Sequence, residues 1–223
     1  MTSFAGTCLT ALMTLSAIGA TQAATFSGPI SVSLISPGGF TTDGVNITPD
    51  PLSFTQSLTP PVGAITPSGG GDIGGFMLPP EFIKLNGTSI VVRTAEGASN
   101  GTTGYLGSGV QHARYQFDGL NITGFAISGL TYSLKDNFLT TGTSGASNEA
   151  TLITGQVVKL LSPHSIEVDL DQIKFRDRGL GESNNFVDFR IDVVTAAVPE
   201  PSTAMLAVLG LAVLGLRQRT SKR

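Results

Sequence analysis

The sequence predicts an all-β domain, an antiparallel β-sandwich or a jelly-roll-like arrangement, and three observations carry that prediction. Apolar and polar residues alternate with period two, as in Ile166-Glu167-Val168-Asp169-Leu170 and Val187-Asp188-Phe189-Arg190-Ile191. Such alternation marks a sheet that is packed on one face and wet on the other. Asn86-Gly87 and Asp118-Gly119 sit between apolar runs as hairpin signals. Between residues 24 and 197 no stretch sustains the 3.6-residue period of a helix, and Gly, Ser, Thr and Asn are abundant while charges are sparse.

Residues 24–80 are the loosest part. Ile30-Ser31-Val32-Ser33-Leu34 alternates and reads as a strand. After it, Pro37-Gly38-Gly39, Thr48-Pro49-Asp50-Pro51, Thr59-Pro60-Pro61 and Ser68-Gly69-Gly70-Gly71 leave room only for short strands around 45–47 and 52–54. The sandwich core is therefore expected over 81–194, with mobile stretches within 36–75 and 95–109. Strands at 82–85 and 88–93 flank Asn86-Gly87. Strands at 112–117 and 120–134 flank Asp118-Gly119, with Gly124 and Gly129 as bulges or bends.

A loop at 136–148 leads to a strand at 150–161, and Ser162-Pro163-His164 turns the chain into 165–176. There Ile166, Val168 and Leu170 point one way while Glu167, Asp169 and Asp171 point the other. Ile173 and Phe175 change parity, which predicts a bulge at Asp171-Gln172. The last strand, 186–194, sets Val187, Phe189, Ile191 and Val193 inward and Asp188, Arg190 and Asp192 outward. Asp188 is then a tolerant surface position.

The two ends have a different character. Residues 1–23 read as a helical signal peptide: an apolar run at 5–20, then Thr21-Gln22-Ala23 with cleavage after Ala23. The only cysteine, Cys8, lies inside it, so the remaining chain has no disulfide or thiol chemistry. At the other end, Pro199, Glu200 and Pro201 favour an extended, exposed backbone. Met205, Leu206, Val208, Leu209, Leu211, Val213, Leu214 and Leu216 then make a segment apolar on every side. As a transmembrane helix, 202–216 spans roughly 22 Å against a hydrocarbon core of about 30 Å. Local thinning or snorkelling closes such a gap. Arg217, Arg219, Lys222 and Arg223, with no acid among them, form a tail that stays cytoplasmic.

Val198-Pro199-Glu200-Pro201-Ser202-Thr203, the Leu/Gly/Ala/Val run and the Arg-rich end together resemble the PEP-CTERM sorting signal of Gram-negative bacteria. The resemblance implies recognition by a membrane-embedded exosortase that processes the tail near Pro-Glu-Pro, with signal peptidase acting on the N-terminus. It further implies a protein exported, transiently anchored in the inner membrane, and then passed to the outer surface or extracellular matrix, in association with exopolysaccharide and biofilm. It divides the chain into a signal peptide at 1–23, a β-rich extracytoplasmic domain at 24–197 and the sorting signal at 198–223.

The domain itself offers no catalytic residue. Over 24–197 there are 15 acids and 9 bases, net −6, which disfavours nucleic acid as a partner. Gly142-Thr143-Ser144-Gly145-Ala146 fails the nucleophile-elbow pattern at its last position. His112 opens a strand and His164 sits in a turn, both solvated. Gly69, Gly71 and Gly74 have the G-x-G-x-x-G spacing but lack the strand before and the helix after that a dinucleotide needs.

Glu167, Asp169 and Asp171, with Asp177, Glu182, Asp188 and Asp192, are the oxygens from which a calcium site would be built. They do not fit the EF-hand loop, and Lys174, Arg176, Arg178 and Arg190 stand close enough in sequence to neutralise them as ion pairs on a wet face. With no Trp and only Tyr105, Tyr115 and Tyr132, a sugar-stacking platform has few candidate residues. Two functional readings follow. One is a non-catalytic surface or matrix protein with a structural or adhesive role. The other is an extracellular calcium-dependent carbohydrate-binding module, or a hydrolase with an unrecognised site.

Overall fold

Period-two alternation is realised as two five-stranded antiparallel sheets that share one core. The computed structural model describes residues 24–42, 47–48, 51–97, 101–135, 151–152, 157–175 and 186–198, together with Gly210. In chain order the first strands are β1 (Ile30–Ser36), β2 (Phe40–Thr41), β3 (Ile47–Thr48), β4 (Leu52–Leu58), β5 (Ala64–Ile65), β6 (Phe82–Asn86) and β7 (Ser89–Ala95). Then come β8 (Arg114–Asp118), β9 (Phe125–Lys135), β10 (Thr151–Leu152), β11 (Val158–Ser162), β12 (Ser165–Asp169), β13 (Ile173–Lys174) and β14 (Phe186–Ala197). One turn of 3-10 helix, Ile73–Phe76, precedes β6.

The first sheet runs β11-β12-β8-β1-β4 and the second β5-β6-β7-β14-β9, with β2–β3 and β10–β13 as small separate pairs. Ile30, Val32, Leu34, Tyr115, Phe117, Ile166 and Val168 face inward from the first sheet. Ile83, Ile90, Val92, Val187, Phe189 and Ile191 meet them from the second. Each such side chain gains about 1.5–3 kcal/mol from leaving water. The architecture is the sandwich of the expectation, with antiparallel pairing in every ladder.

Several expectations are corrected. The 24–80 region is not peripheral: β1 is the second strand in from one edge, paired over Ile30–Ser36 with the seven-residue β4 and on its other side with β8. Thr-Gln-Ser in β4 hid its strand character, because an edge strand needs few apolar residues. Nor is 101–105 loose, since Gly101, Thr103, Gly104 and Tyr105 are buried. The Asn86-Gly87 hairpin forms one residue later than expected, with Asn86 paired to Ser89 and Gly87-Thr88 as the loop. Gly87 has φ +63° while Thr88 does not take positive φ, the pattern of a type II′ turn with Gly at its first central position.

Asp118-Gly119 makes no hairpin. β8 belongs to the first sheet and β9 to the second, and the chain between them crosses from one to the other. Gly119 (φ +78°) and Gly124 (φ +77°) bound that crossing, and Leu120 in it is fully buried. The bulge expected near Gly129 is present: the β9–β14 register shifts between Val194 and Thr195, opposite Gly129 and Ile127. Asp171-Gln172 is a turn rather than a bulge, closed by Ile173 N–H to Leu170 O at 3.3 Å, and it carries the chain out of the first sheet into β13. The 136–148 loop lies outside the described residues.

β14 follows the expected parity and lies between β7 and β9. Asp188, however, is not a free surface residue. Arg93 grips its two oxygens at 2.6 and 2.8 Å, and both side chains are mostly buried. The guanidinium also stacks on Phe82 (4.5 Å) and Phe186 (4.1 Å), so one arginine joins β6, β7 and β14. Phe189→Asp places an unpaired charge in the core and should abolish folding. Asp188→Asn should lower stability by about 1–2 kcal/mol, more than an exposed exchange would. Urea denaturation checks both; a tolerated Phe189→Asp would overturn the register.

Candidate functional site

The acids of β12 are positioned by their neighbours. In the first sheet β12 lies between β8 and β11, so Asp169 pairs with Arg114, and Glu167 pairs with Gln116 on one side and Lys159 on the other. Lys159 Nζ donates to Asp169 Oδ2 at 2.6 Å and to Glu167 Oε1 at 3.1 Å. Arg114 Nε lies 3.6 Å from Glu167 Oε2. Asp169 is not on a wet face, as the alternation implied; it is 1% exposed. Desolvation pushes its carboxyl above the usual range against the pull of Lys159, and the bond to Asp169 holds the lysine up in turn.

Asp171 is separated from the other two by the turn that follows. His112 Nδ1 lies 3.2 and 3.1 Å from its two oxygens. The three acids are thus divided between an ammonium and an imidazole. Among the described residues no three His, Cys, Asp or Glu side chains are grouped to hold a metal. Glu167 and Asp169 are neutralised by Lys159 and Arg114, which were not among the four bases expected. Of those four, Arg190 does pair with one of the expected acids, Asp192 on β14, while Lys174 is exposed on β13, and Arg176 and Arg178 lie outside the described residues, as do Asp177 and Glu182.

Lys159→Met keeps the apolar stem and removes the charge, leaving Asp169 desolvated and unpaired. Because the lysine is 34% exposed, water screens part of the loss, and a drop of about 2 kcal/mol is expected at neutral pH. The drop should shrink in acid, where Asp169 is protonated. Denaturation at two pH values measures the difference, and equal losses at both would remove Asp169 as the cause.

Sequence reasoning singled out no role for a second buried acid. Glu81, after Pro79-Pro80, is 1% exposed. Its Oε1 accepts Ala95 N–H at 2.9 Å, and its Oε2 accepts Leu78 N–H at 2.9 Å and faces Tyr105 Oη at 3.1 Å. Tyr105 Oη also lies 2.9 Å from Phe76 O, and Tyr115 Oη stands behind it at 3.5 Å. One carboxyl therefore ties the end of β7 to the loop before β6 and to the 101–105 segment. Burial pushes it up to about 7, against the lowering effect of its three hydrogen bonds. Burial likewise drives both tyrosines well above the ordinary phenol range, so they act as neutral donors.

Since Glu81 is harder to ionise folded than unfolded, its stabilising contribution is full below about 4.5. It is lost as pH rises to about 7, by up to about 3 kcal/mol. Glu81→Gln should flatten that slope in thermal unfolding followed from pH 4.5 to 7.5. An unchanged slope would assign it to other groups.

The remaining chemical candidates are placed as follows. Tyr105 and Tyr115 are core residues and only Tyr132 of the three tyrosines is part-exposed, so two of the candidate stacking rings face inward. His164 is exposed in the β11–β12 turn, its Nδ1 2.9 Å from Leu120 O. Gly69 and Gly71 lie in a bend that leads into the 3-10 helix, Gly74 lies inside that helix, and the strand before them, β5, has two residues.

Of the sorting residues, Pro199, Glu200, Pro201, the apolar Met205–Leu216 positions and the basic Arg217, Arg219, Lys222 and Arg223 lie outside the described residues, as does Ala23. Among the described residues no helix is long and apolar enough to cross a membrane. What is described is how the domain reaches the tail. β14 pairs with β9 as far as Ala197 opposite Phe125, and Val198 N–H donates to Gly124 O at 3.0 Å. A β-sandwich whose last strand leads directly into Pro-Glu-Pro, an apolar run and a basic end has the layout of a domain that carries its own C-terminal address.

Residues 197–220 match the family model described as the PEP-CTERM protein-sorting motif. The chain thus carries a PEP-CTERM sorting motif, which implies export and processing by an exosortase. No curated protein and no solved structure matches the chain.

Proposed function

We propose that this chain is a non-catalytic, exported surface or extracellular-matrix protein of a Gram-negative bacterium. Its sandwich supplies a structural or adhesive body, and its tail supplies transit through the inner membrane. The observation that carries this reading is the PEP-CTERM match beginning at residue 197, the last residue of β14. The body and the address share a boundary with no linker between them.

Each part of the tail has a step to perform. The prolines present an extended backbone for cleavage, the apolar run halts transfer, and the basic end fixes orientation. The interior of the sandwich supports a structural role: its buried acids and tyrosines bond to one another and to backbone, and Lys159 takes up the Glu167–Asp169 pair that a calcium-binding module would offer to the ion. Exopolysaccharide is the matrix partner that the sorting class suggests.

Changing Pro199-Glu200-Pro201 to three alanines should leave membrane insertion intact and block processing, so that an unprocessed membrane form accumulates. Changing Arg217, Arg219, Lys222 and Arg223 to serine should weaken membrane retention. Mass spectrometry of the protein recovered from its host reads both. Recovery of wild-type chain intact through Arg223, never membrane-associated, would refute the sorting role.

A further inference from the structure

The two ends of the sandwich differ in chemistry. The pairings place Ile30, Leu58, Asp118 and Ser165 at one end of the first sheet. Asn86, Ser89 and the Phe125–Ala197 pair lie at one end of the second. These are the same end of the molecule, since Phe26 N–H reaches Gly87 O and Leu85 N–H reaches Gly63 O across it. The chain leaves the domain here, at Val198.

Six described segments close this end: 24–29, 59–63, 86–89, 119–124, 162–165 and 193–198. None contains Asp, Glu, Lys or Arg. The opposite end carries charges of both signs: Asp72, Glu81, Glu96, Asp169 and Asp171 lie in or beside its connections, and so do Arg114, Lys159 and Lys174.

Exposed apolar side chains follow the same division. Among the described residues, Val62 (79% exposed), Phe125 (41%), Leu161 (49%), Val194 (45%) and Val198 (50%) all lie at the exit end, and Val110 lies at the other. Apolar groups left in water on connections that carry no charge of their own, with Asp118 and Asp192 at their margin, mark a surface that something covers. The length of chain beyond the domain says what that is. From Val198 to Ser202, where the apolar run begins, are four residues, which reach at most about 14 Å.

We infer that the exit end of the sandwich is a membrane-docking surface, seated on the lipid interface of the leaflet into which the tail inserts, with Val62, Phe125, Leu161 and Val198 as its apolar contacts. The inference rests on the tail being membrane-embedded. A tether this short holds the exit end against the headgroups in any orientation that keeps the run inserted. The exit connections themselves hold no Asp, Glu, Lys or Arg to desolvate there, whereas the opposite end holds charged side chains of both signs. Docking then fixes the stretch between Val198 and Ser202 at a constant height for processing.

The test uses the full chain with Cys8→Ser, so that one introduced cysteine carries an environment-sensitive fluorophore. Labels go at Val62→Cys, Leu161→Cys, Val110→Cys and, in the apolar run, Val208→Cys. The protein is reconstituted in phosphatidylethanolamine–phosphatidylglycerol vesicles containing a brominated lipid quencher. Quenching at 62 and 161 should be several-fold stronger than at 110, with a blue-shifted emission, and strong at 208. Strong quenching at 208 with 62 and 161 no more quenched than 110 would overturn the docking surface while leaving the anchor standing. Absence of quenching at 208 would overturn the anchor and the docking surface together. Circular dichroism of each labelled chain checks that the strands are intact; Val62, Leu161 and Val110 are exposed, so a label there is expected to be tolerated.

Discussion

The pairing of β14 between β7 and β9 is the constraint on which the rest of the molecule depends. From its place beside the edge strand β9 of the second sheet, the strand buries Val187, Phe189 and Ile191. Through Asp188 it also draws in Arg93 and the Phe82 and Phe186 rings on the outer face. Removing it would leave β6–β7 and β9 without a common neighbour and open one wall of the core. It is also the last strand before the tail. The element that completes the fold and the element that delivers the sorting signal are one continuous segment.

The second requirement is that the polar groups trapped by closure be satisfied. At the end opposite the chain's exit, loops converge over the core where β-ladders no longer supply partners. Glu81 serves there as an acceptor for two backbone N–H groups and as the neighbour of Tyr105. A carboxyl in that place costs desolvation, which is why it rises to about 7. The gain is that three loop segments are held by one side chain. The Lys159–Asp169–Glu167 group does the same on the outer face of the first sheet, tying β11 to β12.

What could be read from the sequence divides along a physical line. Local patterns were legible: the inward parity of Ile166, Val168, Phe189 and Ile191, the hairpin around Gly87, and the PEP-CTERM motif that the family model matches at 197–220. Non-local choices were not. Asp118-Gly119 has the chemistry of a tight turn, but whether the chain returns to the same sheet or crosses to the other depends on where Leu120 finds burial. Lys159 and Arg114 could not be named as partners of β12 because strand order is set by packing of the whole domain. Glu81 was hidden because its partners Leu78, Ala95 and Tyr105 come together only in the folded domain. β4 was underestimated because its residues answer to a single neighbour.

Given export with the N-terminus leading, the order of these elements has a further consequence. β1 through β9 can cross before the second sheet is complete, but β14 cannot pair until residue 197 has crossed. The apolar run follows only a few residues later. On the proposed function, in which the apolar run inserts and the basic end stays behind, closure of the sandwich and arrival of the tail at the membrane would be nearly the same event in space and time. A folded body at the exit would then resist backward slippage, while the basic residues would resist forward transfer. On that reading β14, by finishing the domain only four residues before the apolar run begins, would leave little slack on the stretch that carries Pro-Glu-Pro.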